Sequence, residues 1–203
     1  MAKKESGEIK KTEDELADVA TIKKKLGSKK KGVSDMFRTS YRTHLDLSSI
    51  ADNKSNIMIS INGIIISIII ASISPKIDSN PWLLLPTSLF LMSCVLSMIF
   101  AVRAARPRVS KESVTLDDVR QNRANILFFG NYHNMKREDF VIGLEELMVD
   151  SVRLYDTMAR DLYGLGKVLA KKYRLLQISY DIFLYGLVIS VLAFLIVFLN
   201  LNL

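Results

Sequence analysis

The residue types that most often carry catalysis are few in this chain and lie far apart. Among its 203 residues the only histidines are His44 and His133, and the only cysteine, Cys94, lies within an apolar stretch. A zinc site needs several Cys or His ligands, and a Cys nucleophile needs a base in contact with it. Residues 164–167 (GLGK) resemble a phosphate loop only weakly, because Val168 stands where Ser or Thr is required. We therefore predict no catalytic residue, no metal site and no resident cofactor.

A polar stripe is the stronger candidate for binding chemistry. From Ser34 the chain has helical periodicity and no Gly or Pro until Gly63, and polar residues recur along it at spacings of three and four. Those spacings place the polar residues on one face of a helix. They are Arg42, Asp46, Ser49, Asn53, Asn56 and Ser60. Because the stripe continues into an apolar segment, it must face protein, water or a ligand. Interhelical hydrogen bonding and a ligand or gating seam are the two interpretations.

Three apolar blocks are the elements that position this stripe. They cover residues 57–74, 82–102 and 178–199, with lengths of 18, 21 and 22 residues. At about 1.5 Å per residue each block reaches roughly 27 to 33 Å, the thickness of a bilayer's hydrocarbon core. The alternative, buried helices of a soluble bundle, would require polar faces that these blocks lack. We predict an all-α membrane protein with three transmembrane helices.

The first span carries a pattern of small residues. Gly63, Ser67 and Ala71 are four positions apart, which lets neighbouring helices approach closely, and Asn62 is the most polar side chain at depth. We predict that these four residues serve transmembrane packing or gating. Three helices are few for enclosing a water-filled path, so any pore would need several copies of the chain.

The distribution of charge predicts an orientation. The formal net charge is +7, and residues 1–55 carry 13 Lys and Arg while residues 103–176 carry 14. The connector at 75–81 contains one basic residue, Lys76. Since segments rich in Lys and Arg stay on the cytoplasmic side, we predict a cytoplasmic N-terminus and an outer tail at 200–203. Anionic lipid headgroups are a sufficient partner for the positive charge, and no nucleic-acid partner is expected.

The chain divides into tail, spans and a cytoplasmic region. Residues 1–33 form a Lys-rich tail that cannot bury enough apolar surface to fold alone. Residues 34–102 hold a helix that leads into the first two spans. Residues 103–177 are predicted to form a helical sensing and coupling region, followed by the third span at 178–199.

Local signals divide the cytoplasmic region further. Thr115 and Asp118 resemble a capping box for a helix over 116–123, and residues 136–149 have the pattern of an amphipathic helix. The run NILFFGN at 125–131 fits either a buried strand or an apolar wedge.

The helix that follows has a coiled-coil repeat and enters the third span without a break. Its seam residues are Val152, Tyr155, Ala159, Leu162, Gly166, Leu169, Tyr173 and Leu176. We predict one continuous helix over 151–199, whose partner is the helix over 34–74. A change in the packing of this pair would pass mechanically to the spans.

Four segments of the chain resemble a known family. They are LSSIADNKSNI at 47–57, NILFFGN at 125–131, ARDLY at 159–163 and KYRLL at 172–176. Their order and their distances from the spans are similar to those of the transmembrane effector family of bacterial Pycsar anti-phage systems. The resemblance covers residues 36–199 and leaves out the Lys-rich residues 1–32.

The resemblance implies a function. In such systems a pyrimidine nucleotide cyclase answers phage by making cyclic CMP or cyclic UMP, and the effector is activated by that messenger and damages the inner membrane. The infected cell then dies or stops growing. What this implies here is a non-enzymatic, homo-oligomeric protein of the bacterial inner membrane, with the cyclase as its functional partner. The sequence shows no separate cyclic-nucleotide-binding barrel, so direct sensing would use the helical cytoplasmic region.

A phosphate-bearing messenger requires cationic donors and a surface on which its base can stack. We expect the cations on phosphate and the Asn or Asp side chains on ribose or base. The candidate ligand-binding residues are Arg42, Asp52, Asn53, Lys54, Asn125, Arg160 and Asp161. For each Arg the other interpretation is a headgroup contact or a surface salt bridge.

A second function also fits the sequence. The chain could be a membrane-anchored interaction module that recruits a soluble partner through its coiled-coil face. In that case replacing Asn62 or Ser67 by Leu would have no consequence for function.

Overall fold

The structure, a computed structural model, describes residues 30–73, 81–107 and 114–201. Within these ranges the regular structure is helical and no strand occurs, as the sequence predicts. The helices are α1 (Lys30–Ile73), α2 (Leu84–Ala105), α3 (Leu116–Arg120), α4 (Phe129–Tyr132), α5 (Arg137–Val149) and α6 (Ser151–Leu201), with a 3-10 turn at Pro81–Leu83 before α2. Most of the Lys-rich tail, most of the 75–81 connector and the last two residues lie outside the described residues.

The chain forms two compact units. We call residues 30–43 and 114–165 the short-helix unit, because it holds α3, α4 and α5. Residues 44–73, 81–107 and 166–201 are the span unit. Both long helices, α1 and α6, contribute residues to each unit and run without a break. The prediction of a continuous helix from 151 into the third span is confirmed.

The short-helix unit has a small apolar core. Ile126, Leu147 and Val119 are buried together, and five half-buried apolar residues pack against them. Asn125 Oδ1 accepts a hydrogen bond from the Leu127 N–H at 2.9 Å, and Asn131 Nδ2 donates to the Asn125 carbonyl at 2.9 Å. These bonds close a tight turn, so the NILFFGN run is a wedge that inserts Ile126 into the core and not a strand.

Helix starts in this unit follow capping rules. Thr115 Oγ1 accepts from the Asp118 N–H, and the Asp118 carboxylate accepts from the Thr115 N–H, which confirms the predicted capping box of α3. Asp150 Oδ1 accepts from the N–H groups of Val152 and Arg153 at 3.0 and 3.1 Å. The cap of α6 is therefore Asp150.

Three helices are long and apolar enough to cross a membrane by length and composition, namely α1, α2 and α6. In the span unit they meet through small side chains. Ala101, Ala104 and Cys94 of α2 are buried, and a Cβ added at Gly186 of α6 would overlap the side chain of Ser93. Small residues at the contact let the helix backbones approach closely, as in other helical membrane proteins.

Candidate functional site

The span unit contains a buried polar cluster with one residue from each long apolar helix. Asn62 of α1, Ser97 of α2 and Ser179 of α6 are each fully buried, and we call them the polar node. Ser97 Oγ lies 2.9 Å from the Ser179 carbonyl oxygen and 3.0 Å from Ser179 Oγ. The Ser179 hydroxyl donates to the Ser97 carbonyl at 2.8 Å, and Asn62 Nδ2 donates to Ser97 Oγ at 3.2 Å. The node therefore fixes the mutual register of the three spans.

One oxygen of the node has no partner. Asn62 Nδ2 also donates to the Met58 carbonyl at 2.8 Å, but Asn62 Oδ1 is buried without a hydrogen bond among the described residues. A buried acceptor left unpaired costs about 1 to 3 kcal/mol. The packing of α1 on α2 thus carries a local penalty, and a packing that gave this oxygen a donor would relieve it.

A largely buried cation of α6 contacts α1. Lys172 Nζ of α6 donates to both oxygens of the Asp52 carboxylate of α1 at 2.8 and 2.9 Å, and to Ser48 Oγ at 3.0 Å. The Lys172 side chain is 13% exposed, whereas that of Asp52 is 38% exposed. Tyr173 donates its hydroxyl to the Leu47 carbonyl at 3.3 Å. These contacts connect α1 to α6 at residues 47–52 of α1, about ten residues before Asn62 of the polar node.

In the short-helix unit the same two helices meet through aromatic residues. Phe37 of α1 and Tyr155 of α6 stack with nearly parallel rings at 6.0 Å between centroids. The Tyr41 hydroxyl donates to Asp161 Oδ2 at 2.7 Å and lies 3.2 Å from the Met158 carbonyl. Burial, and then the hydrogen bond to the Asp161 carboxylate, raises the pKa of Tyr41 well above its ordinary value. The Tyr41 hydroxyl therefore keeps its proton and can donate it to the Asp161 carboxylate.

Ion pairs on the surface connect α3, α5 and α6. Arg120 forms a forked contact with Glu146, with its shortest distance 2.6 Å, and Arg153 lies 4.0 Å from the same carboxylate. The hydrogen bond from Arg120 lowers the pKa of Glu146. Arg153 also donates to the Val119 carbonyl at 2.9 Å. These contacts hold the short helices against α6.

The seven predicted ligand-binding residues divide between the two units. Arg42, Asn125, Arg160 and Asp161 belong to the short-helix unit, and Asp52, Asn53 and Lys54 belong to the span unit. No hydrogen bond or ion pair among the described residues joins any two of the seven.

Several of these residues have other partners within the chain. Asp52 binds Lys172, Asp161 accepts from Tyr41, and Arg160 pairs with Asp156 at 3.0 Å. Asn125 is part of the NILFFGN turn, and its Nδ2 is buried without a partner among the described residues. The remaining three are exposed, namely Arg42, Asn53 and Lys54.

The four predicted packing or gating residues have different surroundings. Asn62 belongs to the polar node, and a Cβ at Gly63 would meet only Met98 Cε at 3.9 Å. Ser67 donates to the Gly63 carbonyl at 2.9 Å, and both Ser67 and Ala71 are exposed. Within one copy of the chain, then, only Asn62 of this set lies in a tight contact between spans. Every residue of the polar stripe from Arg42 to Ser60 is also exposed.

Sequence reasoning missed four residues that the structure places at polar contacts or on the span surface. Lys172 and Ser179 carry the contacts from α6, Tyr41 binds Asp161, and Asp181 is an exposed carboxylate in the third apolar block. A signal was present for Asp181, since an acidic residue inside an apolar block is rare. Lys172 and Ser179 had none, because their partners lie more than 80 positions away.

The three apolar helices, joined by a buried polar node, define the chain as a helical membrane protein that also carries a small helical unit. The family model described as the Pycsar effector protein domain matches residues 35–199. The chain belongs to this family, and it is thereby an anti-phage effector of the Pycsar type. Comparison with curated proteins and with solved structures gave no match. The family is one of membrane effectors that act together with a cyclase system.

Proposed function

We propose that this chain is activated by cyclic CMP or cyclic UMP from a partner cyclase, assembles into oligomers and impairs the bacterial inner membrane, so that infection is aborted. One observation carries the proposal. The family match runs through both units of a single chain that holds three candidate spans. A chain of this kind can transmit a signal from its short helices to its spans along α1 and α6, because each of these helices is continuous through both units.

The proposed orientation has a cytoplasmic N-terminus and an outer C-terminus. Lys and Arg number 13 in residues 1–55 and 14 in residues 103–176, and this bias supports a cytoplasmic location for both segments. A messenger made in the cytoplasm would then have direct access to the short-helix unit. A reporter that is active only outside the cytoplasm should be active when it is fused after Leu203. A reporter that is active only within the cytoplasm should be inactive at the same position.

The short-helix unit is the proposed receiver of the messenger. Arg42 and Arg160 present exposed guanidinium groups for a phosphate, and Phe129 and Tyr132 present exposed aromatic rings for a base. Asn125 and Asp161 supply the polar side chains proposed for ribose or base. The other predicted residues, Asp52, Asn53 and Lys54, belong to the span unit and are not part of this proposed receiver. The messenger must favour the active packing by a few kcal/mol to shift the population.

Direct binding can be tested by calorimetry on the full chain in detergent, with cyclic CMP and cyclic UMP titrated separately. We expect binding of one of them to weaken in Arg42→Ala and to be retained in Arg38→Ala. Arg38 is an exposed arginine one helical turn away and serves as the matched control. Equal binding by both variants would remove Arg42 from the site.

Membrane damage can be tested by dye influx in cells that express the chain together with an active cyclase. We expect dye entry with the active cyclase and none with a catalytically inactive cyclase. Intact membranes despite abundant messenger would contradict the proposed function. Growth arrest without dye entry would separate abortive infection from loss of membrane integrity.

A second candidate function, a membrane-anchored module that recruits a soluble partner, is favoured by one surface. The outer face of α5 exposes four apolar side chains, with Val149 90% exposed. The other three are Val141, Ile142 and Met148. This function predicts that Asn62→Leu and Ser67→Leu keep full activity, whereas the effector function predicts loss for Asn62→Leu because the polar node would be broken.

A further inference from the structure

We propose that copies of this chain associate side by side through two polar stripes of the span unit, with α6 of one copy packed on α1 of the next. The inference deepens the proposed function, because membrane damage by a three-span chain rests on assembly of several copies. The α6 stripe consists of Arg174, Gln177 and Asp181. The α1 stripe consists of Asn53, Asn56 and Ser60.

The α6 stripe has no polar partner in the part of its own chain that the structure describes. Its three residues are exposed, and none has a hydrogen bond or an ion pair among the described residues. They are separated by three and four positions, so they lie on one face of α6. The opposite face of α6 carries Lys172, Ser179 and Ser190, which contact α1 and α2. The stripe therefore points away from its own three-helix packing.

Asp181 lies within the apolar part of the span. Ser179 is at the level of Ser97, and Ser97 is six residues from Arg103, the first charged residue toward the end of α2. At about 1.5 Å per residue, Asp181 is roughly 12 Å further into the span than Arg103. A carboxylate at such a depth that faces lipid is strongly disfavoured, and acidic residues in spans almost always face protein or water. Asp181 is the fourth residue of the apolar block at 178–199 and is exposed, so a polar group from another copy would satisfy its carboxylate.

The α1 stripe offers partners at the same depth. Two contacts relate the levels of α1 and α6: Asp52 with Lys172, 120 positions apart, and Asn62 with Ser179 through Ser97, 117 positions apart. Subtracting these offsets of 120 and 117 positions gives the residues of α1 that lie at the same depth. Arg174 is level with residues 54–57 of α1, and Asp181 is level with residues 61–64. The two stripes therefore overlap in depth to within about one helical turn, and both have the same spacing of three and then four residues. Copies inserted in one bilayer share orientation and depth, so these levels apply between copies as well.

The chemistry of the two stripes is complementary. The Arg174 guanidinium has donors only and meets the level of the Asn53 and Asn56 amide oxygens. The Asp181 carboxylate has acceptors only and is nearest in level to the Ser60 hydroxyl. Pairing two α6 helices about a two-fold axis would instead place Arg174 against Arg174 and Asp181 against Asp181. Like charges repel, so the stripes favour the α6-to-α1 arrangement.

When two copies pair in this way, one copy still has a free α1 stripe and the other still has a free α6 stripe. A head-to-tail interface of this type continues until it closes into a ring or extends as an array. Beyond Ser60 the same region of α1 carries Gly63 and Ser67, whose small side chains allow a neighbouring helix to approach. The second copy thus accounts for the small-residue pattern that has little packing within one chain.

Cysteine crosslinking of the full chain in membranes tests the interface. In a Cys94→Ser background, Ile64→Cys and Leu184→Cys place thiols on the two outer faces at similar depth, at residues 61% and 54% exposed. We expect the double variant to form a ladder of crosslinked species and each single variant to form none. The control pairs Ile64→Cys with Met92→Cys, which is 61% exposed on α2 at similar depth, and should form none.

The role of Asp181 is tested in the same double-cysteine background. We expect Asp181→Leu to lower the crosslinking yield at least about fivefold, and Asp181→Asn, which keeps an acceptor oxygen, to retain most of it. A dimer from Leu184→Cys alone, a ladder only with Met92→Cys, or an unchanged yield in Asp181→Leu would each overturn the interface.

Crosslinking and dye influx together distinguish this interface from the proposed function. Both are measured with and without the active cyclase, and a ladder in either condition supports the interface. Dye influx without any ladder would overturn the interface and leave the function standing. A ladder without dye influx in the presence of the cyclase would contradict the function and leave the interface standing.

Discussion

The two units use polar groups in opposite ways. In the short-helix unit the ion pairs are partly exposed and lie around an apolar core, as Arg120, Glu146 and Arg153 do. In the span unit most of the outer surface is apolar apart from the α1 and α6 stripes, and hydroxyl and amide groups are buried at the polar node. The first pattern is that of a protein in water, where ion pairs are screened and exchange readily. The second is that of a protein in lipid, where every polar group needs a partner. Contacts in the short-helix unit are thus suited to rearrangement, and those in the span unit to fixing register.

The largest change in unfolding free energy is expected for a substitution in the apolar core of the short-helix unit. Leu147→Ala removes a side chain that is 2% exposed, and we expect a loss of about 2 to 5 kcal/mol in unfolding free energy. Met148→Ala, at a neighbouring residue that is 62% exposed, is the control and should change stability by less than about 0.5 kcal/mol. Denaturant unfolding of the purified protein in detergent measures both. Equal effects would mean that α5 does not pack on this core.

The corresponding test in the span unit concerns the close contact between α2 and α6 at Gly186. Gly186→Ala places a methyl group on Ser93, and we expect a loss of about 1 to 3 kcal/mol from overpacking. Ser93→Gly in the same chain should recover much of this loss. Gly164→Ala, in the same helix with no atom within 4 Å of the added Cβ, should stabilise by up to about 1 kcal/mol. Thermal unfolding in detergent checks all three, and a neutral Gly186→Ala would contradict the close approach of α2 and α6.

The ion pair of Lys172 with Asp52 combines features of both units, because it is a charged contact whose two side chains are only partly exposed. We expect a double-mutant cycle with Lys172→Met and Asp52→Asn to give a coupling of about 1 kcal/mol. Lys171→Met, at an exposed neighbour, should show no coupling to Asp52→Asn. Coupling energies near zero would show that this pair does not hold α1 to α6.

The smallest effect concerns pH and the cap of α3. Hydrogen bonds from the Thr115 side chain and backbone, and then from Arg123, lower the pKa of Asp118. A carboxyl whose folded pKa is depressed stabilises the fold above its unfolded pKa, and this stabilisation is lost as pH falls through the folded value. We therefore expect α3 to loosen only below about pH 4. Carboxyl chemical shifts recorded during an acid titration should show the Asp118 midpoint rising in Thr115→Val, and an unmoved midpoint would contradict the capping contribution.

Residues close in sequence were predicted well because local rules act within one helical turn. The capping box of Thr115 and Asp118, the start of α6 next to Asp150 and its continuity into the third span follow from such rules. The candidate site was less accessible to prediction. Asp161 and Asp52 suggested ligand contacts from residue type alone, yet in the structure they accept from Tyr41 and Lys172, about 120 positions away.

Length, hydrophobicity and charge determined from the sequence that this chain has three candidate spans. These properties follow from the free energy of transferring apolar residues and charges between water and lipid, which depends on composition more than on neighbours. Only the tertiary structure decided which polar residues pair with one another. Asn62 turns inward to Ser97, whereas Asn56 and Asp181 remain on the outer surface. That choice depends on how α1, α2 and α6 rotate against each other, and the packing of small side chains such as Gly186 against Ser93 sets that rotation.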